Sequence, residues 1–169
     1  APGDAGGFRV CALAQLSDGR LLLNSRDLSM RRTRVLQTST DGGYSWSAPS
    51  RAAALPESPP RGCHGSMAST PSGERLFFAA PSSPLSRADI TLRQSDDGGA
   101  TWRPVLPLHR GPSAYSSMRL LPDGIHLGIL YERGESAASF FAQRIVYCRV
   151  DISGIAAAMN GTRREEVPR

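Results

Sequence analysis

Lysine is absent from the 169 residues, so all 20 basic side chains are arginines. The net charge of +5 is therefore carried by planar, forked donors suited to carboxylate or phosphate, with no ammonium point charges. The codon bias of a GC-rich genome produces the same set, so the excess of arginine assigns no ligand by itself. Cysteine is scarce. Cys11, Cys63 and Cys148 are odd in number and widely spaced, which argues against a disulfide framework or a zinc site. They are expected to be free and mostly buried thiols. No apolar run is long enough to cross a membrane, and no basic stripe interleaved with aromatics marks a nucleic-acid face. No charged-then-apolar leader opens the chain, whose first residue is Ala1, so a processed or longer parent sequence is expected.

What is abundant points to turns. Seventeen glycines and thirteen prolines are too many for a helical protein and suit short strands joined by tight reversals. The β-prone runs are Leu21–Leu23, Arg34–Gln37, Arg75–Ala79, Ile90–Arg93, Leu127–Tyr131 and Ile145–Val150, with a further strand over Phe8–Leu16. Asp18-Gly19 and Asp123-Gly124 precede two of them, where a reversal requires positive φ. Only Ile155–Asn160 reads as a short helix, ended by Asn160-Gly161.

One repeat fixes the fold class. Ser39-Thr40-Asp41-Gly42-Gly43-Tyr44-Ser45-Trp46 returns 56 residues later as Ser95-Asp96-Asp97-Gly98-Gly99-Ala100-Thr101-Trp102. That period is typical of a four-stranded propeller blade. Asp41 and Asp97 can accept backbone amides inside the turn, while Gly43 and Gly99 supply positive φ. Ser39 and Ser95 tie the turn ends, and Trp46 and Trp102 are expected to bury against their own blades. The aspartates are thus structural. The fold class is all-β, a partial six-bladed β-propeller of about three blades. Residues 1–152 form the C-terminal part of the propeller and residues 153–169 a polar tail with the short helix. Three blades do not close a ring and leave unpaired edges, so further blades, a partner or a rearranged fold is expected.

The tandem turn is the Asp-box, and the chain resembles the sialidase (neuraminidase) family over about residues 13–150. Leu22-Leu23-Asn24-Ser25-Arg26-Asp27 looks like the segment presenting one arginine of that family's three-arginine cluster. Ser86-Arg87-Ala88-Asp89 looks like the segment presenting another. Ser113-Ala114-Tyr115-Ser116-Ser117 resembles the loop that holds the tyrosine nucleophile. Leu130-Tyr131-Glu132 follows it, with Glu132 at the place of a glutamate that steadies a cluster arginine. Gly62-Cys63-His64-Gly65-Ser66 resembles a stretch of the animal sialidases. The resemblance implies an exo-α-sialidase that releases terminal sialic acids from glycoproteins, glycolipids or oligosaccharides without a cofactor. Tyr115 would be the catalytic nucleophile, Arg26 and Arg87 would bind the substrate carboxylate, and Glu132 would support them. His64 is read as a pocket-wall or satisfied buried residue, and Asp27 and Asp89, each following an assigned arginine in a strand whose neighbours face opposite sides, receive no role.

Those residue types suit the substrate. Sialic acid bears a carboxylate on its anomeric carbon, so an anionic nucleophile would meet like charge. Sialidases accordingly use tyrosine in place of the usual second carboxylate. A neutral phenol with an ordinary pKa of about 10 then needs a base and nearby positive charge. Two departures matter. The family's first cluster arginine and its acid/base aspartate belong to N-terminal blades that precede the matched segments. The glutamate that partners the tyrosine should fall near Val10, where Phe8–Leu16 holds no acidic residue. A non-catalytic sialoglycan-binding propeller or an inactive fragment is therefore the alternative function.

Overall fold

Six consecutive residues at the centre of the molecule, Leu76–Pro81, are all buried. In a strand, successive side chains face opposite sides, so this one must be covered on both faces. The computed structural model, which describes residues 8–29, 31–135 and 144–157, shows how. Eleven strands form three antiparallel sheets among the described residues. The first contains β1 (Phe8–Gln15), β2 (Leu21–Asp27), β3 (Thr33–Ser39) and β4 (Ser50–Pro56) in that order. The second contains β5 (Ser66–Ser69), β6 (Leu76–Pro81), β7 (Ile90–Ser95) and β8 (Arg103–Pro107). The third contains β9 (Ser113–Leu120), β10 (His126–Arg133) and β11 (Arg144–Asp151). A short helix, α1 (Ser153–Ala157), follows.

The middle sheet is packed between the other two. Leu76, Phe78 and Ala80 join Ala14, Leu16, Leu22, Leu36, Leu55, Met67 and Trp102 in one core. The alternate residues Phe77 and Ala79 join Ile90, Leu92, Leu127, Ile129, Tyr131, Val150 and Ile152 in a second core. Each sheet is a meander, so its first strand lies at one edge, and β1, β5 and β9 run beside one another on the inner side. This is the radial arrangement of propeller blades.

Both Asp-boxes sit in equivalent positions, after the third strand of their sheets. Ser39 Oγ accepts the Gly43 amide at 2.9 Å and donates to Asp41 at 2.7 Å, and Asp41 Oδ1 accepts the Ser45 amide at 2.9 Å. Ser95, Asp97, Gly99 and Thr101 repeat the same bonds at 2.8–2.9 Å. One tryptophan meets expectation and the other does not. Trp102 is buried edge-on against Phe78 of its own sheet, with its indole N–H donating to the Gly99 carbonyl at 3.0 Å, and it also lines the seam with the first sheet. Trp46 is only half-buried, because the first sheet has no described sheet on its other side.

Three further expectations are corrected. Of the cysteines only Cys63 is buried, whereas Cys11 is exposed and Cys148 intermediate. The helix begins at Ser153, two residues before the expected start, and positions 158–160 with the Asn160-Gly161 stop lie outside the described residues. Asp89 does not belong to a strand: it takes φ +61° before β7 and its carboxylate accepts the Gly111 amide at 2.8 Å.

Candidate functional site

The proposed site residues come from all three sheets. Arg26 lies near the end of β2, Arg87 in the loop entering β7, Tyr115 near the start of β9 and Glu132 near the end of β10. Tyr115 is therefore a strand residue, where a loop was expected. These positions are brought to one end of the molecule by the antiparallel pairing, and they meet at residues 61–64, just before β5.

Four consecutive residues do the joining. The Arg61 carbonyl accepts Arg26 Nε at 2.7 Å, and the Gly62 carbonyl accepts an Arg87 terminal nitrogen at 3.1 Å. The backbone of Cys63 faces inward. Its N–H donates to Glu57 Oε2 at 2.9 Å and its carbonyl accepts Arg34 at 2.8 Å. The ring of His64 meets that of Tyr115 edge-on, with centroids 5.9 Å apart. Arg87 completes the cluster, its guanidinium carbon 5.6 Å from the centre of the Tyr115 ring, within cation–π range.

Tyr115 is 40% exposed, so its ring is open to a ligand while its backbone is fixed. Its amide donates to Glu132 Oε2 at 3.1 Å. Glu132 thus holds the tyrosine backbone and, among the described residues, no arginine. Next to it, Ser116 Oγ accepts the Ser66 amide at 3.2 Å and donates to the Ala79 carbonyl at 2.8 Å, locking β9 to the middle sheet. Arg87 is anchored through its backbone, since its carbonyl accepts the Ser113 amide at 3.0 Å. Its Nε is buried with no partner among the described residues, as is His64 Nδ1.

Charge and burial shape the titrations. Burial holds the His64 imidazole below its usual range; the neighbouring Arg34 and Arg26 add to this and Glu132 opposes it. Burial pushes the Cys63 thiol up to about 11, outweighing the favourable charges of Arg87 and Arg26, so it is not a reactive thiolate. Burial likewise pushes the Glu57 carboxyl above its usual range, against the opposing pull of Arg34 and the Cys63 and Asp27 amides. Asp27 is engaged elsewhere, bonded to Arg51 at 2.5 Å and to Ser29. Beside Arg87 opens a cleft of about 560 Å³ whose walls include Pro59, Leu85, Ala88 and Pro112. The buried pair Arg34–Glu57 and the role of residues 61–64 as a joint were not legible in the sequence, since the partners are far apart along the chain.

Residues 9–129 match the model of the BNR repeat-like domain. The chain belongs to this sialidase family. It is 38% identical over 125 residues to a sialidase of Micromonospora viridifaciens, covering 71% of this chain and 19% of that protein. A sialidase of Bacteroides fragilis is 32% identical over 143 residues, covering 79% of this chain and 25% of its own length. Among solved structures, the Hadza microbial sialidase Hz136 superposes with a TM-score of 0.70 at 29% identity, over 88% of this chain and 28% of that one. The chain thus spans a quarter or less of the length of these two curated relatives and contains part of a propeller.

Proposed function

We propose that this chain supplies part of an exo-α-sialidase active site, in which Tyr115 is the nucleophile and Arg26 and Arg87 grip the carboxylate of a terminal sialic acid. The observation that carries this reading is the attachment of both arginines to consecutive carbonyls, with Arg87 against the exposed ring of Tyr115. Nitrogens of each guanidinium remain available for forked hydrogen bonds, which are about twice as strong as neutral ones. The unpartnered Arg87 Nε would lose its desolvation penalty on meeting an anion. Positive charge beside the phenol favours the phenolate, and the bound carboxylate suits an oxocarbenium-like transition state. Membership of the sialidase family makes glycoside hydrolysis the reaction class. Sialylated glycoproteins, glycolipids or oligosaccharides are the substrates in this reading.

Proton transfer is the weak point. β1 offers no acidic residue near Tyr115, and Val10, at the place of the expected glutamate, is skipped in the β1–β2 register by a bulge between Arg9 and Cys11. This observation favours, as second reading, a propeller that binds sialoglycans without cleaving them. General acid–base assistance contributes roughly 10²–10⁴ in rate, so its loss would leave little turnover. The discriminating experiment assays a fluorogenic sialoside with the chain alone and with a version extended by N-terminal blades, each with and without Tyr115→Phe. Turnover in the extended version that Tyr115→Phe abolishes supports the sialidase reading. Binding without turnover in either version supports the second. Turnover indifferent to Tyr115→Phe refutes the tyrosine assignment.

A further inference from the structure

Beneath the 61–64 segment lies an ion pair that the chemistry above does not use. Arg34 is 0% and Glu57 4% exposed, and they meet at 2.9 Å. Each also grips the backbone. Arg34 donates to Asn24 Oδ1 at 2.6 Å, to the Asn24 carbonyl at 3.2 Å and to the Cys63 carbonyl at 2.8 Å. Glu57 accepts the Cys63 amide at 2.9 Å and the Asp27 amide at 3.3 Å. Gly62 lies directly on this carboxylate. It takes φ +67°, and a methyl group in its place would collide with the Glu57 carboxyl group.

A buried ion pair is weak grounds for stability, because desolvating two charges offsets much of their attraction. An apolar pair of the same volume could fill the space, but it would leave the Cys63 N–H and carbonyl without these partners. What the charges specify is the placement of the segment. The Cys63 backbone is held from below on both its polar groups. The two carbonyls immediately before it, those of Arg61 and Gly62, are the acceptors for Arg26 and Arg87. Asn24 and Asp27 flank Arg26 on β2, so the same pair also fixes the strand from which Arg26 projects.

We propose that Arg34 and Glu57 are positioning residues for the site: the buried pair fixes residues 61–64 at the height that sets the spacing of the Arg26 and Arg87 guanidiniums. The consequence for ligand binding rests on the sialic-acid reading given above, whereas the consequence for the arginines does not. Neither residue touches the ligand. Loosening the pair frees the segment, and both guanidiniums lose their common anchor while the sheets remain intact.

Two readouts separate these consequences. Side-chain NMR of the full chain follows solvent exchange of the Arg26 Nε–H, which is bonded to the Arg61 carbonyl, and N-acetylneuraminic acid titrated into the same sample reports anion binding. Glu57→Leu is expected to raise Arg26 Nε–H exchange at least tenfold with the backbone spectrum of the β-strands unchanged. Glu57→Gln retains an oxygen for the Cys63 amide and is expected to recover most of the protection. Should Glu57→Leu fail to fold, Gly62→Ala keeps both residues of the pair but drives the segment off the Glu57 carboxyl group, and is expected to give the same rise. Binding of the sugar acid is expected to weaken about tenfold in step with the exchange. A folded Glu57→Leu or Gly62→Ala protein with Arg26 Nε–H exchange like the parent overturns the proposal. A parent chain that binds no N-acetylneuraminic acid overturns the sialic-acid reading instead and leaves the exchange result standing.

Discussion

The two Asp-boxes offer an internal control, because their second glycines have nearly the same backbone but different surroundings. Gly43 has φ +96° and Gly99 has φ +92°, so alanine at either position carries a similar left-handed penalty of about 1–2 kcal/mol. Their neighbours then separate them. A methyl at Gly43 would meet Trp46 at 3.6 Å and Leu21 at 3.7 Å, which is ordinary contact. A methyl at Gly99 would stand 2.6 Å from Leu22 Cδ2, and Leu22 is 2% exposed in the seam between the first two sheets. Forcing extra volume into such a core costs a further ~1–3 kcal/mol. Gly99→Ala should therefore destabilise the protein by about 1–3 kcal/mol more than Gly43→Ala. Urea unfolding followed by tryptophan fluorescence measures the difference, provided the m-values agree. Equal losses, or a larger loss for Gly43→Ala, would refute the packing of the second Asp-box against the first sheet.

Phe78, 1% exposed and edge-on to Trp102, should cost about 3–5 kcal/mol on replacement by alanine, measured by the same urea titration. Ser116→Ala removes the acceptor of the buried Ser66 amide and should cost about 1–3 kcal/mol, while Ser117→Ala on the same strand should be close to neutral. The His64 imidazole should titrate below its ordinary 6.5, read from its ring-proton shifts by NMR. With the native pKa depressed, the unfolded chain binds the extra proton first, so the His64 contribution to stability is present above about 6.5 and is lost as pH falls through the native value. Midpoints that rise as pH drops through that window in the parent, relative to His64→Gln, would contradict this sign.

The Asp-box was legible because it is local: serine, aspartate and glycine satisfy one another within a single turn. Burial of its tryptophans was legible only in part: Trp102 is buried as expected, but Trp46 is not, since that depends on which sheet lies alongside. The β-prone runs inside the central strands Leu76–Pro81 and Ile90–Ser95 stood out, whereas Ser50–Pro56 and Arg103–Pro107 at the outer edges are largely exposed and carry no such signal. Arg26, Arg87 and Tyr115 were proposed through family order, which nominates residues but says nothing about what joins them. The joint itself, Arg61–His64 held by Arg34 and Glu57, depends on partners drawn together from β3 and the segment after β4. Among twenty arginines in the sequence, nothing local distinguished Arg34, which is 0% exposed.

Sialic-acid binding by the arginine pair tests the central claim most directly. N-acetylneuraminic acid is titrated into the parent chain, Arg26→Ala, Arg87→Ala and the double variant, with the Tyr115 ring resonances as the reporter and folding checked by the backbone spectrum. Loss of one charge-assisted forked contact removes about 1.5–3 kcal/mol, or roughly tenfold or more in affinity. The expected result is saturable perturbation of Tyr115 in the parent, at least tenfold weaker in each single variant and absent in the double one. A folded parent whose Tyr115 ring does not respond, or a response that survives in the double variant, would contradict the account.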